Sequence, residues 1–385
     1  MKTMAGRVAA MQPTIFAVMT ALANEQGAIN LGQGFPDCAP PPFLVTAAKA
    51  ALDGPYNQYA PGNGQLPLRQ AIATRYHQHY GLAFDPQKEI LVTVGATEAL
   101  FAAMMGLLDP GDEVIVFEPA FDSYRPAIEF GGGTVRPLTL RPPHWHLEPE
   151  RLQDLIGPRT RMILLNSPQN PCGKVFGPND LWLIADLCIR HDLIAVTDEV
   201  YEAVLFDGRE HIPLAGLPGM AERTLTISSL AKTFSVTGWK IGWAAGPEQL
   251  IEACLRAKQF VTFCGAAPLQ IAGAKALGCE ADYYLELAED YRCKRDFLSS
   301  ALTEAGFDVF ATQGSYYLMA DISGFGRGED MEFCRWLTTE IGVAAIPAGP
   351  FYSDPREGKD LVRFAFCKSM ETLEEAARRL KKGMR

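Results

Sequence analysis

The sequence has none of the features that direct a chain to a membrane or to an oxidising compartment. No apolar run reaches the length of a transmembrane helix, and the residues that follow Met1 contain no signal-peptide core. The nine cysteines are odd in number and scattered, without a Cys-x-x-Cys pair, which predicts reduced thiols that lie mostly in the core. These absences predict a cytoplasmic protein with no membrane partner.

Positive charge is also in short supply. Lysine and arginine number 35 against 45 acidic residues, for a net charge of -10. This balance argues against nucleic acid as a partner, because phosphate backbones need a basic face. The pairs His77-x-His79 and His144-x-His146 have no Glu-x-x-His or cysteine ligand nearby, so no metal site is predicted.

The chain does contain an alternation of apolar strands and helices. Its length of 385 residues fits an enzyme of two domains. The alternation predicts an α/β fold with a mostly parallel central sheet that helices cover on both faces. The predicted strands of this sheet are 90–94, 113–117, 161–165, 193–197 and 224–228, with a helix over 97–108.

A looser pattern follows a helical region over 248–278 and a charged helix over 282–305. It predicts a smaller α+β domain. The predicted division is an N-terminal arm over 1–44 that forms part of the small domain, a large domain over 45–280, and a small C-terminal domain over 281–385. The elements of the small domain are strands 315–320, 343–346 and 361–366 and helices 329–341 and 371–380.

The stretch from Thr226 to Trp243 offers the groups that suit a cofactor with both an aldehyde and a phosphate. Ser229 is a hydroxyl, Lys232 is an amine and Lys240 is a fixed cation. An amine in a poorly solvated pocket near a second cation has a lowered pKa, so it can form a Schiff base. Ser-x-x-Lys is a weak signal by itself, and a surface lysine after a strand is the alternative interpretation.

Other polar and aromatic residues follow the carboxyl ends of predicted strands. Because open α/β sheets bind ligands at that edge, we expect these residues to converge. The helix that begins near Thr97 is either a phosphate site or an ordinary capped helix. Arg363 lies in an apolar strand, where it needs a carboxylate ligand or a surface salt bridge. The residues expected at the edge are Ala96, Thr97, Phe121, Asn170, Asp198, Tyr201 and Lys232.

Five motifs occur in order along the chain: Asn170-Pro-x-Gly173, Asp198-Glu-Val-Tyr201, Ser229-x-x-Lys232, Gly238-Trp-Lys-x-Gly242 and the late Arg363. With them the chain resembles, over nearly its whole length, the class I/II pyridoxal-phosphate aminotransferases of the aspartate aminotransferase fold, a type I fold. Segments 30–37, 57–59 and 349–352 resemble the branch of bacterial methionine aminotransferases and animal kynurenine/glutamine transaminases.

The resemblance implies pyridoxal 5′-phosphate as the cofactor, bound by the large domain. Lys232 would hold it as a Schiff base and then act as general base. Asp198 would keep the pyridine nitrogen protonated, so that the ring accepts electrons. Asn170 and Tyr201 would bond the phenolic oxygen, and Phe121 would stack on the ring.

The resemblance also implies a homodimer with shared active sites. The phosphate would meet the backbone of Ala96 and Thr97, the side chains of Ser229 and Lys240 and, from the neighbouring subunit, Tyr59. The substrate would meet Arg363 at its α-carboxylate with Gly34 and Asn170, and pocket walls of Phe16, Phe35 and the neighbouring subunit's Phe263. These three phenylalanines could equally be core aromatics.

Two positions depart from the wider family. Lys240 stands where most members have arginine, which predicts a looser grip on phosphate, because lysine is a point charge and not a fork. Phe121 stands where others have tryptophan, and stacking should persist.

The function implied is transfer of the amino group of methionine and other neutral or aromatic L-amino acids to a 2-oxoacid. An apolar pocket suits these donors, and no second arginine can be placed for a distal carboxylate. The alternative is a kynurenine/glutamine transaminase with cysteine-conjugate β-lyase activity. A regulatory protein with an aminotransferase-like effector domain is a third hypothesis, which the acidic balance disfavours.

Overall fold

The computed structural model describes residues 4–9, 11 and 13–384. None of the described helices is both long and apolar enough to cross a membrane. The helices are α1 (Gly6–Ala9), α2 (Ile15–Gln26), α3 (Pro42–Asp53), α4 (Leu66–Tyr80), α5 (Gly95–Leu107), α6 (Tyr124–Phe130), α7 (Pro149–Leu155), α8 (Pro178–Arg190), α9 (Leu230–Thr233), α10 (Glu248–Lys258), α11 (Ala267–Leu277), α12 (Ala281–Glu304), α13 (Asp330–Trp336) and α14 (Met370–Gly383). The strands are β1 (Ile29–Asn30), β2 (Ile90–Val94), β3 (Glu113–Glu118), β4 (Thr134–Thr139), β5 (Thr160–Asn166), β6 (Ile194–Asp198), β7 (Thr224–Ser229), β8 (Ile241–Ala245), β9 (Asp308–Val309), β10 (Tyr317–Asp321), β11 (Val343–Ala344), β12 (Ile346–Pro347) and β13 (Leu361–Ala365).

The central sheet has seven strands in the order β2-β8-β7-β6-β5-β3-β4. Only β8 runs against its neighbours, so the prediction of a mostly parallel sheet is confirmed. Two of its strands were not predicted. β4 contains Arg136 and Pro137, and proline is tolerated there because β4 lies at the sheet edge. β8 contains Gly242, which weakens its strand pattern.

Helices cover both faces of this sheet. Successive residues of a buried strand point to opposite faces. Val114 and Val116 of β3 therefore pack with α5, α6 and α10, while Ile115 and Phe117 pack with α8 on the other face. A third cluster joins α3, α4 and α11 to the β2–β8 edge. Of the nine free cysteines, Cys172, Cys188, Cys254, Cys334 and Cys367 are buried, as the prediction of mostly core thiols requires.

A second sheet is antiparallel, with the order β12-β13-β10-β9. Arg363 sits in the middle of β13, opposite Met319 of β10 and Ile346 of β12. The segment predicted as one strand over 343–346 is two, because β11 pairs with β1 and β12 pairs with β13. The parallel β1–β11 pair brings residues 29–30 beside the C-terminal third of the chain. The division into domains stays a prediction.

Three helical segments differ from the prediction. Helix α2 was not predicted within the arm; it begins after Thr14, whose hydroxyl accepts a hydrogen bond from the Ala17 N–H at 3.3 Å, and buries Ile15 and Met19. The region 248–278 is two helices separated by the segment 259–266. The helix predicted over 329–341 ends in a π turn, Leu337–Ile341.

Candidate active site

A cavity of about 280 Å³ lies where four strands of the central sheet end. β2, β5 and β6 end at Val94, Asn166 and Asp198, and β7 ends at Ser229. All four run in the same direction, so their carboxyl ends meet at one edge, as predicted. The predicted site residues that line the cavity are Phe16, Gly34, Ala96, Thr97, Phe121, Asn170, Asp198, Tyr201, Ser229, Lys232, Lys240 and Arg363.

Lys232 lies on α9, the short helix that directly follows β7. Its Nζ stands over the rings of Tyr201 and Tyr316, 5.8 and 5.7 Å from their centroids. Burial of the amine, aided by the charges of Lys240 and Arg363, lowers the pKa of Lys232 from 10.5 to about 8, against the opposing effect of Asp198. Roughly a tenth of the amine is therefore neutral at pH 7, far more than for an ordinary lysine, and available as a nucleophile.

Asp198 is buried at the end of β6, 4% exposed. Tyr124 Oη donates to its Oδ2 at 2.7 Å, and the Val200 N–H approaches Oδ1 at 3.4 Å. Burial raises the pKa of Asp198 to about 6, although these two hydrogen bonds and the charge of Lys232 oppose the rise. The carboxylate is therefore mostly ionised at neutral pH.

Arg363 is fully buried, 0% exposed, beneath the cavity. Its guanidinium donates to Asn170 Oδ1 at 2.8 Å and to the Gly32 carbonyl at 2.7 Å. It also stacks over the rings of Tyr317 and Phe16, 4.0 and 4.9 Å from their centroids. Its Nε has no partner, and within the described part of the chain no carboxylate lies within 4 Å of it. The buried cation is thus poised for an anionic ligand.

A tyrosine cluster closes one side of the cavity. Tyr201 Oη donates to Tyr317 Oη at 3.1 Å. Tyr316 Oη donates to the Gly34 carbonyl at 2.6 Å and holds the segment that follows β1. Gly34 itself leaves room for Tyr317, because a Cβ there would overlap the Tyr317 hydroxyl. This close approach requires glycine.

Two glycines bring a cation to the beginning of α5. A Cβ on Gly242 would lie 2.5 Å from the Ala96 backbone nitrogen, and one on Gly95 would lie 2.9 Å from Lys240 Nζ. Gly95 also has φ +75°, which favours glycine. The free N–H groups of Ala96 and Thr97 and the ammonium of Lys240 therefore share one corner, a combination that favours an anion.

Three predicted site residues do not line the cavity. Phe35 is 45% exposed, and its ring lies against Lys368 Nζ, 4.3 Å away. Phe35 does not form a wall of the pocket in its own subunit, because the segment after Gly34 turns away from the cavity toward Lys368. Tyr59 and Phe263 are 84% and 49% exposed and pack edge to face at 5.5 Å. Their predicted role lies in a neighbouring subunit.

Sequence reasoning missed Tyr124, Asn166 and Tyr317, which all line the cavity. Asn166 ends β5, and its amide donates to the Asp198 carbonyl at 2.7 Å, so the strand-end rule could have found it. Tyr124 is the first residue of α6 and Tyr317 the first of β10, so neither follows the end of a strand of the central sheet. Only packing brings their hydroxyls to Asp198 and Tyr201.

Comparison with known proteins agrees with this geometry. The family model described as Aminotransferase class I and II matches residues 26–380. The chain belongs to this family. It is therefore an aminotransferase, and enzymes of this family and fold use pyridoxal 5′-phosphate.

Several members of the family are similar over nearly the whole chain. A probable N-succinyldiaminopimelate aminotransferase of Mycobacterium tuberculosis is 47% identical, covering 95% of each chain. The methionine aminotransferase of Escherichia coli is 41% identical, covering 96% of this chain and 95% of the other. The solved structure of N-succinyldiaminopimelate aminotransferase from M. tuberculosis matches with a TM-score of 0.95 and 46% identity, covering 99% of this chain and 100% of the other. Kynurenine–oxoglutarate transaminase 1 of Rattus norvegicus is 38% identical, covering 94% and 93%.

The groups around the cavity fit pyridoxal 5′-phosphate. The glycine-lined corner at Gly95 and Gly242 suits its phosphate, and the amine of Lys232 suits its aldehyde. Asp198 is an ionised carboxylate in a dry site, which suits a protonated pyridine nitrogen. The phosphate, the aldehyde and the pyridine nitrogen of the cofactor thus each have a chemical complement at this edge of the sheet.

Proposed function

We propose that this aminotransferase takes methionine and other neutral or aromatic L-amino acids as donors and passes their amino group to a 2-oxoacid. The supporting observation is the small number of positively charged side chains that line the cavity. Among the described residues only Lys232, Lys240 and Arg363 bring a positive charge to the cavity. The aldehyde, the phosphate and the α-carboxylate would occupy them, which leaves no cation for an acidic side chain.

Eight residues would hold the cofactor ring and its substituents. Asp198 would pair with the pyridine nitrogen, and Tyr124 keeps the Asp198 carboxylate oriented. Asn170 and Tyr201 would donate to the phenolic oxygen. The phosphate would take N–H groups from Ala96 and Thr97 and side-chain groups from Ser229 and Lys240. Phe121 would lie against the ring.

The bound cofactor supplies an electron sink that lets the substrate Cα lose its proton. Arg363 would orient the substrate by its carboxylate, with Gly34 and Asn170 beside it. Nζ of Lys232 would then take the Cα proton and return it one step later, as a general base with a pKa near neutrality does. Phe16 would face the substrate side chain.

We also propose a cytoplasmic homodimer with shared sites. The exposed pair Tyr59 and Phe263, joined by Phe260 at 87% exposure, forms an apolar projection that a second copy would cover. In such a dimer Tyr59 would reach the neighbour's phosphate and Phe263 the neighbour's substrate pocket.

A comparison of amino donors with one fixed 2-oxoacid tests the proposed specificity. A distal carboxylate would enter without a cation and lose its hydration. We expect kcat/KM for methionine and phenylalanine to exceed that for aspartate by at least about tenfold, or roughly 1.4 kcal/mol. Aspartate at or above methionine would contradict the proposal and require a further cation in the site.

A second candidate is an acidic diaminopimelate-type donor, favoured by the 47% identity to the M. tuberculosis protein. It requires that the second copy supply the missing cation. Including N-succinyl-diaminopimelate and kynurenine in the same comparison separates these donors. A cysteine conjugate without any 2-oxoacid tests β-elimination, because that reaction alone would release pyruvate and ammonia.

A further inference from the structure

The side chain of Lys258, at the end of α10, is buried without a carboxylate partner. It is 0% exposed, and its Nζ donates to two backbone carbonyls, Gly62 at 3.2 Å and Phe263 at 2.9 Å. Within the described chain no carboxylate oxygen lies within 4 Å of this ammonium. Burial lowers the pKa of Lys258, against the opposing charge of Glu98.

The two carbonyls belong to two loops that are far apart in sequence. One is the loop over 57–64, which carries Tyr59, and the other is the segment over 259–266, which carries Phe263. Lys258 joins the two loops on their buried side by its two hydrogen bonds. On the solvent side the rings of Tyr59 and Phe263 are in contact, with their centroids 5.5 Å apart. The loops therefore form one projecting unit, which we name the paired loops.

The paired loops are also anchored to the helix at the anion corner. The Thr262 hydroxyl donates to Glu98 Oε1, and Glu98 Oε2 accepts from the Val94 N–H at 2.6 Å. The Asn63 carbonyl accepts from the Val92 N–H at 3.0 Å. The unit is thus fixed to β2 and α5, the elements that lead into its own subunit's cavity.

Burial of the Lys258 ammonium costs free energy, because the charge loses its hydration. An apolar side chain of the same shape would pack without the loss of hydration that a charge suffers. Lysine offers what methionine cannot, which is up to three N–H donors from a single point. Two of them fix the carbonyls of two separate loops, so the loop geometry is what the charge maintains.

We propose that Lys258 is a positioning residue for the active site of a second copy of this chain. It fixes the paired loops so that Tyr59 and Phe263 project to the height at which the neighbouring site needs them. This inference rests on the proposed homodimer with shared sites. It adds Lys258 to the residues that serve an active site, although Lys258 does not line the cavity of its own subunit.

Heterodimers with one working site test the proposal. Subunits with two different affinity tags are mixed, and one of them carries Lys232→Ala, so that only the other subunit's site turns over. Lys258→Met is placed either on the Lys232→Ala subunit, in trans to the working site, or on the working subunit, in cis. We expect the loss of kcat/KM in trans to exceed the loss in cis by about tenfold, the effect of one or two misplaced contacts.

Cofactor retention gives a second readout. The working site should lose covalently bound cofactor on dilution faster in the trans arrangement, followed by absorption. Lys258→Gln keeps an amide nitrogen with two N–H donors and should give a smaller trans loss than Lys258→Met. Lys275→Met, which removes an exposed lysine from α11, is the matched control and should leave both readouts unchanged.

The possible outcomes separate this inference from the shared site itself. Tyr59→Phe is tested in the same two arrangements. If Tyr59→Phe acts in trans but Lys258→Met acts equally in cis and trans, or not at all, the role of Lys258 is wrong and the shared site stands. If Tyr59→Phe acts only in cis, the shared site is wrong and the proposal for Lys258 fails with it.

Discussion

In the proposed function Lys232 attacks an aldehyde, and an amine has to be neutral to do so. The amine of Lys232 is surrounded by aromatic rings, with Lys240 and Arg363 nearby. Asp198 acts in the opposite sense, since it favours the protonated amine. The balance leaves an amine that titrates close to neutral pH instead of near 10.5.

This balance predicts the pH dependence of cofactor capture by the cofactor-free protein. Capture should accelerate as pH rises and level off above about pH 9, because Lys232 is half neutral at its pKa of about 8 and almost fully neutral one unit higher. Stopped-flow absorption of pyridoxal phosphate mixed with the protein measures the rate. Lys232→Ala should abolish the covalent spectrum at every pH. A rate that keeps rising toward pH 10 would contradict the lowered pKa.

A second residue-scale prediction concerns Tyr124. Its hydroxyl lowers the pKa of Asp198, so Tyr124→Phe should raise that pKa further and weaken the proposed ion pair with the pyridine nitrogen. We expect kcat to fall by about tenfold, the value of one lost hydrogen bond to a charged group. The acid limb of the pH–kcat profile should move to higher pH. A lower kcat with an unmoved acid limb would assign Tyr124 a packing role only.

At the scale of elements, the site depends on one antiparallel strand among parallel ones. β8 carries Gly242 past the beginning of α5, where backbone touches backbone. This contact sets the position of the N–H groups of Ala96 and Thr97 relative to Lys240. The proposed phosphate corner is therefore made by strand placement and not by a separate loop.

Gly242→Ala tests this dependence. The added methyl group would overlap the backbone of Gly95 and Ala96, so α5 has to shift. We expect a destabilisation of about 1–3 kcal/mol in urea unfolding, with a weaker affinity for pyridoxal phosphate. Gly157→Ala is the matched control, because a Cβ at Gly157 meets nothing within 4 Å. Unchanged affinity in Gly242→Ala would show that the corner tolerates displacement of the helix.

Elements also mark the limit of what the sequence can predict. The five apolar parallel strands were predictable because burial on both faces leaves continuous apolar runs. Most site residues followed from their positions after strand ends or from the motifs. β4 and β8 were hidden by Pro137 and Gly242, and the break at 259–266 was hidden because exposed Phe260 and Phe263 look like core residues. Whether these side chains are exposed depends on how the rest of the chain packs around them, and a local sequence pattern does not contain that information.

At the scale of the whole molecule, buried charge is balanced away from the cavity as well. His211 Nε2 and Glu199 Oε2 lie 2.7 Å apart, and Arg75 binds Glu202 at 2.9 Å beside the Tyr80 hydroxyl. Glu199, Glu202 and His211 lie close enough to hold a metal ion. The contacts with His211 and Arg75 already pair these carboxylates, which accounts for the cluster.

This cluster predicts how stability depends on pH. Burial alone lowers the pKa of His211, but Glu199 outweighs it, and the net pKa is raised. A raised pKa stabilises the fold fully below about 6.5, the ordinary histidine pKa, and the gain is lost as pH rises through the folded pKa. His211→Gln should therefore cost about 1–3 kcal/mol at pH 6 and less at pH 9, in urea unfolding. An equal cost at both pH values would mean that folding does not raise the pKa of His211.

The pairing of β1 with β11 determines when the N-terminal segment can dock during synthesis of the chain. Gly32, two residues past β1, accepts its hydrogen bond from Arg363, 331 residues further along the chain. At a translation rate of about 5–20 residues per second, that wait is on the order of tens of seconds. A nascent chain that has reached residue 280 already contains Lys232 and Asp198, yet its first strand is still unpaired. The earliest residues to leave the ribosome are thus among the last to dock, and the surroundings of Arg363 are complete only after residue 363 has been made.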